Sequence, residues 1–396
     1  MTEPQITLND LADYTLLITD RNLVPVGDPV CCWTQLDATL RFNEPASGFF
    51  TSPGLPWVRQ QISPGNRVVV IRNGDVFTAG PIESSNFERS DDGENAGLGN
   101  IRVNFTDDLM WAAGRLAYPD PDVAPALQVI DNWTFSGNAE LAIRELVDAS
   151  AGPSARSERR VPQLVLGSLA SVGSTIDAKA ALFEPVLDVV RRMALAGGGL
   201  GVRTRQVGDQ ILVETYDPPD VSGTVRFGFE WGNAKYLAYE MNGPTVTAAL
   251  VGGQGDGADR LVIERTNAAA EAAWGRIERL VSRPGSSPTA ELEEAGDQEL
   301  AEGAETARIP ANVADTPDMR YGQHYTLGSV VAQETYPGEQ VIDIVRSVHL
   351  QAWATAGEIF APVVGSQAAT ADPVSVRRLR AMDRRIGRLE RTTSSV

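Results

Sequence analysis

The chain has 396 residues, of which 42 % are apolar, and it contains 37 glycines and 24 prolines. A single hydrophobic core stops growing well below this length, so we expect two to four domains. The many turn-forming residues favour a β-rich architecture over helical bundles. No run of 18 apolar residues occurs, so no membrane span is expected. The acidic start, residues 1–13, lacks the basic and apolar parts of a secretory signal.

The formal net charge of −18 is unevenly distributed along the chain. Residues 374–396 carry +5, so residues 1–373 carry −23. A body this negative argues against tight binding of nucleic acid by that part of the chain. A net charge this negative is compatible either with high solubility or with a conduit through which nucleic acid passes without adhering. The basic end contains Asp383 and Glu390 and seven arginines, at positions 377, 378, 380, 384, 385, 388 and 391.

The two cysteines, Cys31 and Cys32, are adjacent in a strand-like run. Neighbours in a strand point to opposite faces, so a bridge between them is disfavoured. Two small buried thiols are therefore predicted. The chain lacks a disulfide framework and a CxxC metal pattern, which favours folding in a reducing cytoplasm.

Residues 1–112 read as a β domain of short strands, each bounded by Gly, Pro, Asn or Asp. The strongest signal for a hairpin lies between the strands VVVI and VFTAG, where Asn73-Gly74 is flanked by Arg72 and Asp75. Asn-Gly tolerates the positive φ angles of a two-residue turn. This pattern predicts a tight antiparallel connection at Asn73.

Residues 113–230 read as an α/β insertion. A helix is predicted from Asn138 to Ala149, with Gly152 after its end, because apolar residues recur at helical spacing. A second helix is predicted to start at Glu184 or Pro185, since proline suits a first helical position, and to end before Gly197. The segments LGVRTRQ and QILVETY, joined by residues 207–209, predict a hairpin.

Residues 231–362 predict a small antiparallel barrel with one helix across it. Two strands are separated by a Gly-rich reversal, VGGQGDGAD, and are followed by a Trp-containing strand, an acidic helix and a closing strand. The helix is predicted to begin with Ser287 as its N-cap and to lie on the surface. Leu292 and Leu300 form its narrow apolar edge.

Residues 363–396 read as a linker and a basic amphipathic helix that starts near Asp372. Its apolar residues are spaced by 3, 4 and 3, as in the seam of a coiled coil. Two heptads are too few to stand alone, so the seam predicts either oligomerisation or binding to a partner. The predicted oligomerisation residues are Leu379, Met382, Ile386 and Leu389.

Motifs for chemistry are weak throughout the chain. The Gly-rich VGGQGDGAD precedes a strand, whereas a phosphate loop needs a helix directly after it. His324 and His349 have no neighbouring ligand at metal spacing. The acidic loops lack the spacing of a calcium-binding EF-hand loop. We therefore predict no enzyme activity and no catalytic, cofactor or metal site, although a carboxylate pair set by the fold stays open.

Several of these features together resemble one known family. An apolar-aromatic strand precedes Gly-Asn, the Gly-rich hairpin follows, and Arg-Ile-Glu and Leu-Gly-x-x-Val come later. The chain thereby resembles the siphovirus tail-hub, or minor tail protein, family (Gp37-like), which is related to the baseplate hub of contractile phages. Ser329 stands where the family usually has Asp, a turn former rather than a catalyst. The matching positions are Phe227, Phe229, Gly232, Asn233, Gly252, Gly253, Arg276, Ile277, Glu278, Leu327, Gly328 and Val331.

The resemblance implies a mainly β fold with two small barrels of the tail-hub type, an α/β insertion and a C-terminal helix. It also implies a homotrimeric ring at the tail tip of the virion, made in the host cytoplasm, that adapts the sixfold tail tube to threefold fibres. Its implied partners are the distal tail protein, the tape measure protein and tail fibres or spikes, with DNA only passing through the lumen. Because the chain ends soon after the basic helix, we expect no fused peptidase or fibre. The alternatives are a tail-associated hydrolase and a tail protein that binds host glycans.

Overall fold

The computed structural model describes residues 12–89, 97–237, 240–283, 289–313 and 319–365. These residues contain twenty-one strands and six α-helices, which confirms the mainly β fold class with helical insertions. The chain forms two compact units, one of Met1–Leu237 with Ala311–Val363 and one of Ala238–Pro310 with Val364–Val396. The four predicted segments do not coincide with these two units, and the four-part division stays a prediction.

The first part of the chain forms six antiparallel strands in the order β1-β4-β5-β6-β3-β2. Side chains alternate between core and outer face, most regularly in β2, where Leu36, Ala38 and Leu40 are buried. The elements are β1 (Tyr14–Thr19), β2 (Gln35–Arg41), β3 (Glu44–Pro53), α1 (Pro56–Gln61), β4 (Arg67–Arg72), β5 (Asp75–Glu88), β6 (Asn100–Thr106) and α2 (Met110–Ala113).

The predicted hairpin between β4 and β5 is confirmed. Arg72 pairs with Asp75, and the two residues between them have positive φ angles, 52° at Asn73 and 88° at Gly74. Asn and Gly adopt this left-handed backbone at little cost, so the turn follows from local sequence alone.

The prediction of two buried thiols in a strand is wrong. Cys31 is exposed, Cys32 is half-buried, and both thiols are free. The two cysteines lie in a turn, in which the Cys31 amide donates to the Pro29 carbonyl at 2.9 Å, and β2 begins only at Gln35. Pro29 lacks an amide hydrogen and cannot extend a ladder, which keeps the run out of the sheet.

The middle part of the first unit has the predicted α/β character. Its two helices pack against each other, and the predicted stripes, from Ala142 to Val147 and from Val186 to Ala194, are buried. Asn138 caps the first helix by accepting from the Glu140 amide at 2.9 Å, and Gly152 follows its end. The elements are β7 (Asn132–Asn138), α3 (Ala139–Ala151), β8 (Leu164–Leu166), β9 (Thr175–Ala181), α4 (Val186–Ala196), β10 (Gly201–Val207) and β11 (Gln210–Tyr216).

The second unit is a three-stranded sheet with a helix on one face. Leu292 and Leu300, the predicted apolar edge, are buried against the sheet near Val251 and Ala249. The Gly-rich segment is the predicted hairpin tip between β15 and β16. Two strands of the first unit, β12 (Arg226–Phe227) and β13 (Ala234–Leu237), precede β14 (Glu240–Asn242), β15 (Ala248–Gly252), β16 (Val262–Thr266), α5 (Ala268–Trp274), β17 (Glu278–Ser282), α6 (Thr289–Glu302) and β18 (Thr306–Val313).

Two details of this region differ from the prediction. Trp274 ends the short helix α5 and is not in a strand, because Asn267 caps a run of alanines, the best helix formers. The strand β17 runs parallel to β15, whereas an antiparallel arrangement was predicted. The antiparallel strand β16 returns the chain to the end where β15 starts, and α5 connects it to the other side of β15, so β17 runs parallel to β15.

The last strands of the first unit join its first part across the whole length of the chain. They are β19 (Val330–Glu334), β20 (Gln340–Trp353) and β21 (Gly357–Gly365). Strand β20 is antiparallel to β2, with His349 opposite Thr39 and Gln351 opposite Asp37. The described strands thus form one large sheet and three small ones, and the two closed barrels stay a prediction.

Candidate functional site

The predicted oligomerisation residues lie outside the described residues. Leu379, Met382, Ile386, Leu389 and the arginines around them all fall after residue 365. Their role therefore stays a prediction. The predicted N-cap Ser287 and the predicted helix start at Asp372 also lie outside the described residues, whereas the twelve family-matching positions lie within them.

The aromatic-Gly-Asn segment forms a tight turn in the first unit. Phe227 is fully buried, with its ring 5.2 Å from that of Tyr325 in an edge-to-face arrangement. The Asn233 side chain closes the turn, because it accepts from the Gly228 amide at 3.0 Å and donates to the Arg226 carbonyl at 2.7 Å. The tip leaves Phe229 56 % exposed. The turn is a rigid structural element that presents an aromatic ring to solvent.

Ser329 acts as a turn former, the role predicted for the aspartate that it replaces. Its hydroxyl accepts from the Thr326 amide at 3.0 Å, and the residue is fully buried. Gly328, at φ 83°, is required beside it because an added Cβ would lie 2.4 Å from the Phe42 ring. The departure from the family pattern therefore preserves the local structure.

The Gly-rich loop of the second unit is held in place by the side chain of Arg260, which directly follows it. The Arg260 guanidinium donates to the carbonyls of Gly252 and Gly253 at 2.8 and 3.2 Å and to the Ser282 hydroxyl at 2.5 Å. A loop that cradles phosphate presents amide hydrogens instead. The geometry agrees with the reading of this segment as a hairpin tip.

Arg276, one of the family-matching residues, is the centre of an acidic cluster. Its guanidinium lies 2.7 Å from Glu278, 3.0 Å from Glu264 and 3.4 Å from Glu271. Hydrogen bonds to Glu278 and Glu264 raise the pKa of Arg276. The three carboxylates come from a helix and two strands, so the arginine ties these elements together.

Two ion pairs join distant parts of the first unit, and neither was predicted from the sequence. Glu358 in β21 accepts from the Tyr14 hydroxyl and from Arg72, whose Nε lies 2.9 Å from Oε2. Burial and the nearby Glu358 carboxylate raise the pKa of Tyr14 well above its usual range. The partners are 286 and 344 residues apart in sequence, so no local spacing pattern reveals them.

The second anchor is a fully buried pair between β4 and the turn that precedes α2. Arg67 and Asp108 form a bidentate ion pair, in which Nη2 lies 2.7 Å from Oδ2, and the two side chains are 3 % and 1 % exposed. The same guanidinium donates to Gln206 at 2.9 Å, and the Trp111 indole donates to Asp108 at 3.1 Å. The pair therefore connects the β part of the first unit with its α/β part.

Three titratable side chains of the first unit, His324, His349 and Asp107, each form hydrogen bonds within the chain. His324 lies in a turn, where its Nδ1 accepts from the Arg320 amide at 2.9 Å, and His349 Nε2 lies 2.9 Å from Asp37. Burial raises the pKa of Asp107 to about 7, but its carboxylate caps the adjacent turn by accepting from Leu109 at 3.1 Å. Within the described ranges, no three His, Cys, Asp or Glu side chains are placed to hold a metal ion.

The sequence from residue 15 to residue 366 matches the model of one protein family, described as Siphovirus ReqiPepy6 Gp37-like protein. The chain belongs to this family of siphovirus tail proteins. The family resemblance stated from the residues is thereby confirmed. The sequence has no match among functionally curated proteins.

Solved structures of tail proteins have a similar fold. A tail protein from Neisseria meningitidis MC58 is 16 % identical, with a TM-score of 0.54 over 89 % of this chain and 97 % of that chain. The 43 kDa tail protein of prophage MuSo2 from Shewanella oneidensis is 10 % identical, with a TM-score of 0.55 over 89 % and 98 %. At these identities the likeness concerns the fold. No helix among the described residues is both long and apolar enough to cross a bilayer.

Proposed function

We propose that this Gp37-like protein is a structural hub of the tail tip, with no enzyme activity. In this proposal three copies form a ring that adapts the sixfold tail tube to threefold fibres. The ring contacts the distal tail protein and surrounds the end of the tape measure protein, and DNA leaves through its lumen. The observation that carries the proposal is the family match over residues 15–366.

Two further observations support a structural role. The fold covers nearly the full length of the tail proteins from Neisseria meningitidis and Shewanella oneidensis, so the match is not confined to one common domain. Ion pairs at Glu358 and Asp108 also join distant parts of the first unit. Anchors of this kind stiffen a ring component.

Charge supports the passage of DNA and the role of the C-terminal segment. A body of −23 per copy repels nucleic acid, which favours a lumen that conducts DNA without binding it. The seam at Leu379 to Leu389 joins copies or binds an acidic partner through its arginines. A structure of the ring in which the acidic groups are confined to its outer wall would refute the proposed role of charge in the passage of DNA.

Mass photometry of the purified full chain tests the assembly. We expect a species of three times the 42.5 kDa chain, and it should bind purified tail-tube protein. A monomer at micromolar concentration that also fails to bind the tube would refute the hub. A cleared band in a cell-wall zymogram would instead support the hydrolase alternative.

A matched pair of variants tests the seam. Ile386→Asp places a charge in the predicted apolar seam, and Ser394→Asp adds the same charge beyond it. We expect Ile386→Asp to lose trimer formation or attachment of the fibre protein, and Ser394→Asp to keep both. Retention of both properties by Ile386→Asp would exclude a role for the seam.

A further inference from the structure

One face of the large sheet carries an open polar groove that the hub function does not use. The outward side chains of β20, β2, β3, β6 and β5 form rows across five strands; their neighbours are buried most regularly along β2, whereas β5 is exposed from Glu83 to Glu88. One row consists of Gln351, Asp37, Phe49, Asn104 and Ser84, which are placed opposite one another by the strand registers. We call this surface the polar face.

The groove in the polar face has a volume of about 340 Å³, at the lower end of the range for small-molecule sites. Its lining contains two carboxylates, three hydroxyls, an amide and one half-buried aromatic ring, Phe49, on which the Arg102 guanidinium is stacked at 3.4 Å. A register shift in β5 between Ile82 and Ser84 directs Glu83 toward it, and bulges often re-aim a side chain in this way next to binding sites. The groove is lined by Asp37, Thr39, Ser47, Gly48, Phe49, Glu83, Ser84, Asn104 and Phe105.

The side chains of the groove are held in place by one another. Asp37 accepts from His349 at 2.9 Å and from Gln351 at 3.3 Å. Asn104 donates to the Ser84 hydroxyl at 2.9 Å. A polar row fixed by such cross-strand bonds loses little conformational entropy when a ligand binds.

Hydrogen-bonding capacity remains after these internal bonds. The Asp37 carboxylate has further lone pairs, the second Asn104 amide hydrogen is available, and the Ser84 hydroxyl keeps its own hydrogen. The Glu83 carboxylate and the Thr39 hydroxyl form no hydrogen bond with the described part of the chain. The groove therefore offers acceptors and donors side by side.

We infer that the groove binds a neutral saccharide unit. The hydroxyls of a sugar donate and accept at neighbouring atoms, which matches carboxylates interleaved with hydroxyls and an amide. The carboxylates of Asp37 and Glu83 are balanced by Arg41 and Arg102, which donate to Ser47 and Asn104 at 3.1 and 3.3 Å, so the groove favours neither an anionic nor a cationic ligand. A lone ammonium group would leave the hydroxyl and amide donors of the groove unmatched. The inference goes beyond the hub function and does not depend on the trimer.

Saturation-transfer NMR on the full chain tests this inference. The probes are glucose, galactose, mannose, rhamnose and N-acetylglucosamine, with trilysine as the cationic comparison. We expect at least one neutral sugar to bind with a dissociation constant on the order of 1–10 mM, the usual range for a single small ligand. Raising NaCl from about 50 to 500 mM should leave this binding unchanged, since salt screens only charge pairs.

Variants assign the binding to the groove. Glu83→Gln removes an exposed charge without changing the shape of the side chain, and the charged acceptor it loses corresponds to about tenfold weaker binding. Thr39→Val should also weaken binding. Glu88→Gln, on the same strand outside the groove, is the matched control and should bind like the wild type, with unchanged circular dichroism in all three variants. Binding of trilysine alone, binding of no sugar below about 50 mM, or unchanged sugar binding in Glu83→Gln would each overturn the inference.

Discussion

The buried pair Arg67–Asp108 makes a sharp prediction about stability. Both side chains are almost fully buried, and Asp108 also accepts from the Trp111 indole. Asp108→Asn would leave the Arg67 charge buried without its counter-charge. Removing one partner of such a pair costs about 3–5 kcal/mol. We therefore expect the free energy of unfolding of the first unit to fall by about this amount.

Urea unfolding followed by tryptophan fluorescence measures the change. Trp111 lies against the pair and reports on its surroundings directly. At a typical slope of roughly 2 kcal/mol per molar urea, the loss shifts the midpoint by about 2 M. The exposed pair Arg156–Glu158 supplies the control, and Glu158→Gln should leave the midpoint unchanged.

A double variant separates the cost of an unpaired charge from the value of the pair itself. Arg67→Met with Asp108→Leu removes both charges and fills the space with apolar groups. Such a replacement is often neutral or stabilising, since the desolvation of both ions is avoided. We expect the double variant to recover most of the stability lost by Asp108→Asn. A midpoint for Asp108→Asn within about 0.3 M of the wild type would refute the reasoning.

The half-buried Asp107 and the fully buried Glu140 lead to opposite predictions about pH. Burial raises the pKa of Asp107 to about 7, so its proton stabilises the fold at low pH, and this contribution is lost as pH rises from about 4 to 7. Asp107→Asn should remove that slope and raise the unfolding midpoint at pH 8. Burial alone would raise the pKa of Glu140, but hydrogen bonds from the Ala170 and Val172 amides, at 2.8 and 3.0 Å, lower it overall. Its stabilisation is therefore present at neutral pH and is lost as pH falls below about 4.5. Glu140→Gln should lower the free energy of unfolding by about 2 kcal/mol at pH 7. The reason is that the Ala170 or the Val172 amide hydrogen then faces the NH₂ group of the glutamine. Urea midpoints from pH 3 to pH 8 measure both effects. These assignments would be contradicted if the urea midpoint of Asp107→Asn varied with pH as that of the wild type does. They would also be contradicted if Glu140→Gln had the wild-type midpoint at pH 7.

Local features of the fold were predictable because short-range physics decides them. The Asn73-Gly74 turn needs only two residues that tolerate positive φ. Helix α3 starts after the capping residue Asn138, and helix α4 starts directly after Pro185. The errors were also local in origin. Trp274 was predicted to lie in a strand, but it ends the helix formed by the run of alanines after Asn267. Cys31 was predicted to lie in a strand that in fact begins four residues later, at Gln35.

The candidate sites were less accessible from sequence. The polar groove combines residues from β2, β3, β5 and β6, and only the pairing register brings Asp37, Phe49 and Asn104 into one row. A shift of one residue would turn each of these side chains to the other face. The raised pKa of Asp107 likewise depends on how deeply the fold buries it, and no neighbour in sequence signals that burial.

The sequence by itself determined the β-rich class, the α/β helices, the family and the uneven charge, since composition, periodicity and motifs carry these properties directly. Tertiary structure alone decided that β20 pairs with β2, that β17 lies parallel to β15, and that Glu358 meets Tyr14 and Arg72. These contacts join residues up to hundreds of positions apart. Their free energy comes from burial and pairing in the complete fold, which no short segment of the chain contains.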